Sequence, residues 1–96
     1  MDLRDCREQI DRIDNEILRL FKERMEVSRQ IARIKQERGL PVLDAARERE
    51  KLARMGEKAG EEIRAFVNKL YSTLFELSRA YQGCILNDGA PGKSYE

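Results

Sequence analysis

The sequence predicts an all-α protein with three helices per chain, one very long, one short and one of medium length, in which a second chain packs along the longest helix. Apolar residues recur with heptad spacing from Leu3 to Arg38, the pattern of a long helix with one apolar stripe. A helix of ~36 residues spans roughly 54 Å. A compact globule of about 100 residues has a radius of gyration of only about 13 Å, so the remaining residues cannot wrap such a rod alone.

The first predicted helix, Leu3 to Arg38, carries its apolar residues in two rows, which together we call the seam. The seam consists of Leu3, Ile10, Ile17, Arg24 and Ile31 in one row and Cys6, Ile13, Leu20, Val27 and Ile34 in the other. Arg24 interrupts this apolar pattern. Because a buried charge is costly unless it is paired, Arg24 predicts that an anion binds there. Gly39 is expected to end the helix, and Pro41 prevents its continuation.

A second, short helix is predicted after a connection over residues 39–43, which is half apolar and is expected to lie against the bundle. Asp44 is the expected N-cap residue of this helix. The helix is expected to direct Leu52 and Met55 inward and to fade near Gly56, after about three turns.

A third helix is predicted from about Glu61 to about Gln82, with Gly83 as its stop. Its inward stripe consists of apolar residues at helical spacing, namely Ile63, Phe66, Val67, Leu70, Leu74, Leu77 and Tyr81. We therefore predict one domain over residues 1–83, followed by a flexible C-terminal tail over residues 84–96.

The composition argues against several classes of function. The 19 Lys and Arg residues nearly cancel the 18 Asp and Glu residues, so no basic field is available for binding nucleic acid. The chain has no apolar run near the ~18 residues of a membrane span, and its N-terminal residues do not resemble a signal peptide. We expect a cytoplasmic protein with neither a membrane nor a nucleic-acid partner.

The side chains that are absent restrict the chemistry further. The sequence contains no His, the commonest general base and the commonest metal ligand. Cys6 and Cys84 have no neighbouring metal-ligand residues, and both are expected to be free thiols. An enzyme of this composition is expected to act by binding and electrostatics, with no metal and no cofactor.

The spacing of three cationic residues on the first helix predicts an anion site. Arg24 and Lys35 are eleven residues apart, so they point within about 20° of each other with ~16 Å of rise between them, and together they can hold a dianion. Arg7 lies ~25 Å from Arg24 along the helix, too far for one small ligand to contact both. If Arg7 is functional, it serves a site of the partner chain, as in an antiparallel dimer.

The order of these residues resembles the all-helical class of chorismate mutases. The matching pattern is Arg7-x-x-Ile10-x-x-Ile13-Asp14-x-x-Ile17-x-x-Leu20-x-x-x-Arg24, then Ile31-x-x-x-Lys35, Pro41-Val42-x-Asp44 and Arg47-Glu48, with Ser78 and Gln82 on the third helix. The resemblance covers about residues 3–82. It implies an intertwined homodimeric helical bundle that converts chorismate to prephenate in phenylalanine and tyrosine biosynthesis.

The resemblance also implies a role for each matching residue. Arg24 would clamp one substrate carboxylate, and Arg7 from the other subunit would clamp the second. Lys35 would contact the ether oxygen and a carboxylate, and Gln82 would donate to the same oxygen. The remaining matches are Glu48 with the Asp44 backbone as acceptor for the ring hydroxyl, Ser78 as a contact of the ring carboxylate, and Arg47 as a supporting cation.

Two other functions remain open from the sequence. An isochorismate-pyruvate lyase of the same fold would use a similar cationic pocket, although the Arg47-Glu48 pair favours the mutase. A non-catalytic dimerisation module would explain Arg24 as a polar residue that sets the register of the helices. Taken singly, Arg7 reads as a solvated surface residue, and Ser78 and Gln82 as ordinary polar residues at a helix edge.

Overall fold

The computed structural model describes the backbone of residues 1–88 and the side chains of residues 1–86. Over these residues the chain forms three helices, α1 (Leu3–Arg38), α2 (Ala45–Ala59) and α3 (Arg64–Asp88). The predicted all-α class is confirmed. The longest dimension is 53 Å and the radius of gyration is 16.2 Å, so the chain is extended, as the length of α1 dictates.

The predicted bounds of α1 are confirmed, and both ends are capped by local chemistry. At the start, the Asp5 backbone N–H donates to the Asp2 carboxylate at 2.9 Å, and the Asp2 N–H donates to the Asp5 carboxylate at 3.3 Å. This reciprocal pair satisfies two N–H groups that the helix leaves unpaired. At the end, Gly39 adopts φ 67°, a left-handed conformation that glycine accepts without a steric penalty.

The exposed surface of α1 carries local ion pairs. Arg19 lies between Glu16, at 2.9 Å, and Glu23, at 3.7 Å. The Arg19 guanidinium hydrogen-bonds to Glu16 and lowers the pKa of that carboxyl. Because these side chains are solvated, the pair stabilises the helix only slightly.

The prediction that α2 fades near Gly56 is wrong, since the helix continues to Ala59 and Gly56 is buried within it. Gly56 marks a close approach between α2 and α3. The Arg64 guanidinium donates to the Gly56 carbonyl at 3.1 Å, and a Cβ atom at position 56 would lie 2.8 Å from the Asn68 side-chain oxygen. The low helix propensity of glycine predicted an end at Gly56, but the packing of α2 against α3 keeps this residue helical.

The predicted bounds of α3 also require correction. The helix begins at Arg64, three residues later than predicted, and it passes through Gly83 to reach Asp88. Ile85, which is 7% exposed, buries its side chain in this added segment. That burial offsets the cost of about 1 kcal/mol for a glycine in a helix interior. The first five residues of the predicted tail are thus helical, and residues 89–96 lie outside the described residues.

Helix α3 packs against both α1 and α2 and holds the chain together. The buried apolar side chains among the described residues are few, namely Ala32, Phe75 and Ile85. Of the predicted inward stripe of α3, four residues are partly buried, Val67, Leu74, Leu77 and Tyr81, whereas Ile63, Phe66 and Leu70 are exposed. Within one chain, the inward stripe is therefore only half covered.

The seam of α1 is largely uncovered within one chain. Its large apolar residues from Leu3 to Ile34 are between 38% and 63% exposed. A continuous apolar stripe of this length is far more than the scattered exposed apolar residues of an ordinary monomer. None of the helices in the described part of the chain has an apolar stretch long enough to cross a lipid bilayer.

Candidate active site

A cavity of about 640 Å³ opens between α1, the connection to α2, α2 itself and α3. Seven of the eight predicted site residues line it, namely Arg24, Lys35, Asp44, Arg47, Glu48, Ser78 and Gln82. The helical geometry brings together residues up to 58 positions apart in the sequence. Val27 and Ile31 from the seam supply an apolar wall.

Lys35 lies at the centre of the polar contacts in the cavity. Its Nζ donates to the Val42 backbone carbonyl at 2.6 Å and to Gln82 Oε1 at 3.3 Å. The first contact ties the connection between α1 and α2 to α1. The second brings two hydrogen-bond donors, the Lys35 ammonium and the Gln82 amide, next to each other on the cavity wall.

Gln82 is held in place by a chain of hydrogen bonds that joins α3 to α1. The Gln82 side chain is 5% exposed, and its Nε2 donates to Ser78 Oγ at 3.2 Å. Ser78 Oγ in turn lies 2.7 Å from Ser28 Oγ on α1. An amide nitrogen carries two hydrogens, so Gln82 retains one N–H that can be donated to a ligand.

The Arg24 side chain lines the cavity and is not paired with a carboxylate of the described residues. Its guanidinium lies 6.0 Å from the centre of the Phe75 ring, within the range of a cation–π contact. Within the described part of the chain, Arg24 makes no ion pair. The charge in the seam is therefore aimed at the cavity, with its five donors available to an anion.

The start of α2 provides the other charged wall. The Asp44 carboxylate caps the helix by accepting from the Arg47 backbone N–H at 3.0 Å, which confirms its predicted capping role. One turn further on, Glu48 forms an ion pair with Arg79 of α3. Lys51, three residues after Glu48 on α2, also lines the cavity.

The electrostatic balance of the cavity favours an anion. Its lining contains five cationic side chains, Arg24, Lys35, Arg47, Lys51 and Arg79, and three acidic ones, Glu23, Asp44 and Glu48. Of these cations, only Arg79 forms an ion pair with an acidic residue among the described residues. Four cations without a carboxylate partner around one cavity can bind a small dianion by charge-assisted hydrogen bonds.

The model of the type II chorismate mutase family matches residues 6–83 of the chain, which include α2 and most of α1 and α3. The chain belongs to this family. The predicted resemblance to the all-helical class of chorismate mutases is thereby confirmed. No solved structure matches the chain significantly.

Three relatives each match about half of the chain. A chorismate mutase of Methanocaldococcus jannaschii is 43% identical over 47 residues, which cover 49% of this chain and 48% of the relative. A bifunctional chorismate mutase/prephenate dehydratase of Aquifex aeolicus is 47% identical over 49 residues, covering 51% of this chain and 14% of the relative. The T-protein of Haemophilus influenzae is 39% identical over 46 residues, or 48% of this chain and 12% of the relative. The matched segments thus span less than half the length of these relatives.

Arg7 is the one predicted site residue of this chorismate mutase family member that does not line the cavity. It lies on the exposed N-terminal part of α1, about 25 Å along the helix from Arg24. This position agrees with the expectation that Arg7 cannot serve the site of its own chain. Its predicted role in the site of a partner chain stays a prediction.

The polar and aromatic residues of the cavity that were not predicted from the sequence include Glu23, Ser28, Lys51, Phe75 and Arg79. Ser28 had a readable signal, since it lies four residues after Arg24 and therefore on the same face of α1. Arg79 had none, because its partner Glu48 is 31 residues away on another helix. Among the described residues there is no cluster of His, Cys, Asp and Glu that could hold a metal. Cys6 and Cys84 do not form a disulfide, in agreement with the prediction that each is a thiol.

Proposed function

We propose that this chain is a cytoplasmic chorismate mutase, an isomerase that converts chorismate to prephenate in phenylalanine and tyrosine biosynthesis. Membership of the type II chorismate mutase family supports the activity. The observation that carries the proposal is the cavity itself, in which Lys35 and Gln82 lie side by side among four cations that lack a carboxylate partner. Chorismate is a dicarboxylate, so its charge complements that of the lining.

Two clamps would hold the substrate carboxylates, Arg24 of one chain and Arg7 of a partner chain. Arg24 would bind one of them from α1, with Arg47 as a supporting cation, and Ser78 would contact the ring carboxylate. Glu48 would accept the hydrogen bond of the ring hydroxyl. The Asp44 backbone would take part in the same contact: its carbonyl accepts from the Glu48 N–H at 3.1 Å in the first turn of α2 and has a second lone pair for the ring hydroxyl.

The reaction requires only a bound conformer and stabilisation of charge. In the Claisen rearrangement the ether C–O bond breaks while a C–C bond forms between the enolpyruvyl side chain and the ring, and negative charge develops on the ether oxygen. Lys35 and Gln82 would donate to that oxygen. Each preorganised donor of this kind contributes about 2.7 to 4 kcal/mol. Two donors and an oriented substrate can therefore reach the ~8 kcal/mol needed for a ~10⁶-fold acceleration.

The uncovered seam supports a homodimer in which two α1 helices pack together. One chain buries few apolar side chains, and the seam exposes apolar residues along most of the 53 Å length of the molecule. An antiparallel partner would cover this stripe and would bring Arg7 of each chain toward the Arg24 end of the other. We therefore propose that Arg7 completes the site across the interface.

The proposed mechanism predicts a rate that is nearly independent of pH between about 6 and 8. The chain has no His, and the reference pKa values of its other side-chain types lie below about 5 or above about 8. An amide donates at every pH, so Gln82 needs no proton to act. The measurement is kcat/KM for chorismate across this range.

A matched variant makes the pH prediction sharper. In Gln82→Glu the donor must be a protonated carboxyl, so its activity is expected to fall as the pH rises. A steep loss of wild-type activity between pH 6 and 8 would contradict the proposed role of Gln82.

The proposal is tested by offering the purified chain chorismate and isochorismate in parallel and following the loss of each optically. Consumption of chorismate with formation of prephenate is the expected result. Release of pyruvate from isochorismate would indicate the lyase instead. A folded dimer that consumes neither compound would indicate a dimerisation module.

A further inference from the structure

The ion pair between Arg79 and Glu48 differs from the other ion pairs of the described residues. It joins α3 to α2, and the exposed fractions of the two side chains are only 34% and 24%. The other pairs, Arg4–Glu8, Arg19–Glu16, Arg19–Glu23 and Arg54–Glu50, join residues three or four positions apart on one helix, with side chains at least 46% exposed. Arg79 and Glu48 both line the cavity.

The contact engages only one side of the Glu48 carboxylate. Arg79 Nη1 donates to Glu48 Oε1, and among the described residues no hydrogen bond is made to Oε2. One oxygen thus fixes the orientation of the carboxylate, while the other can accept a hydrogen bond from a ligand. A glutamate that reaches from a helix without such a contact would sample several rotamers, and ordering it would weaken ligand binding.

The ion pair also protects the cationic character of the cavity. Glu48 lies among cations that lack an acidic partner, and a carboxylate free to move would pair with one of them. Such a pairing would remove a positive charge that the substrate carboxylates need. By holding Glu48, Arg79 keeps the neighbouring cations available.

We propose that Arg79 is a positioning residue, which orients the Glu48 carboxylate toward the ring hydroxyl of the bound substrate and keeps it away from the substrate-binding cations. This inference rests on the proposed function. It assigns to Arg79 a role that acts through Glu48 and not by direct contact with the reacting atoms. It also predicts that the effect of removing Arg79 depends on the presence of Glu48.

The test is a double-mutant cycle on kcat and KM for chorismate with Arg79→Met, Glu48→Gln and the double variant. Arg79→Met is expected to lower kcat/KM by about 10- to 100-fold, since a displacement of 1 Å at a reacting site costs about 100-fold. In the Glu48→Gln background the same change is expected to have less than about 2-fold effect, because coupled residues are not additive. Arg79→Lys, which keeps the charge, is expected to recover part of the activity. Arg54→Met, which breaks an exposed ion pair on α2, is the matched control.

Thermal unfolding separates this role from a purely structural one. If the ion pair only ties α3 to α2, Arg79→Met would lower Tm and leave kcat/KM unchanged well below Tm, and the inference would be overturned. Equal losses with and without Glu48 would also overturn it, while leaving the proposed function intact. Absence of chorismate turnover in the wild type would overturn the proposed function and this inference together.

Discussion

Replacing Lys35 with Met is expected to lower kcat/KM for chorismate by about 100- to 1000-fold, the usual cost of removing one preorganised donor to a developing oxyanion. Methionine keeps the length and the unbranched shape of the side chain while it removes the ammonium. In the structure that ammonium is adjacent to the Gln82 amide, so the change removes one of two donors on the same part of the cavity wall. The loss is expected mainly in kcat, because the ether oxygen gains its charge in the transition state.

The control for this prediction must separate chemistry from folding. Lys35 also donates to the Val42 carbonyl, so its replacement loosens the connection to α2. The far-UV circular dichroism and Tm of the variant show whether the helices persist. Lys22→Met, on an exposed part of α1 outside the cavity, is expected to leave the rate unchanged. A Lys35→Met protein that is folded and retains the wild-type rate would contradict the proposed mechanism.

Mixing two inactive variants is expected to restore activity. If each site takes Arg24 from one chain and Arg7 from the other, homodimers of Arg7→Ala and of Arg24→Ala both lack a clamp in every site. A heterodimer of the two has one intact site and one site that lacks both clamps. With random pairing of equal amounts, half of the dimers are heterodimers, so the mixture is expected to reach about a quarter of the wild-type activity.

The mixing experiment requires that the chains exchange, so the two variants are unfolded and refolded together. Refolding each variant alone is the baseline. Arg12→Ala, on the same part of α1 but about 140° around the helix from Arg7, is expected to stay active without a partner variant. A refolded mixture no more active than its two components would rule out a site shared between chains.

The bounds of α1 could be predicted from the sequence because the apolar repeat and the residues at both ends indicate the same helix. The seam repeats over five heptads, Asp2 and Asp5 cap the start, and Gly39 ends the helix in the left-handed conformation. The two later helices were predicted less well. Gly56 and Gly83 look like helix breakers in the sequence, but Gly56 is buried where α2 approaches the Asn68 side chain of α3, and burial of Ile85 beyond Gly83 offsets the second glycine.

In the candidate site, too, relations along one helix were predictable from the sequence and contacts between helices were not. Arg24 and Lys35 were predicted to share a face because eleven residues bring a helix back to nearly the same direction. Both line the cavity. The contacts between helices were not predictable in this way, since the Ser28–Ser78 and Glu48–Arg79 pairs join residues 50 and 31 positions apart. Only the packing of α3 against α1 and α2 brings them together.

The most direct test of the proposed function is an assay in which the purified chain is incubated with chorismate in the presence of EDTA. The assay measures the loss of chorismate and identifies the product. The proposed function predicts that chorismate is converted one for one to prephenate, that no pyruvate is released, and that EDTA has no effect on the rate. A folded protein that leaves chorismate unchanged, or that releases pyruvate from it, would contradict the proposed function.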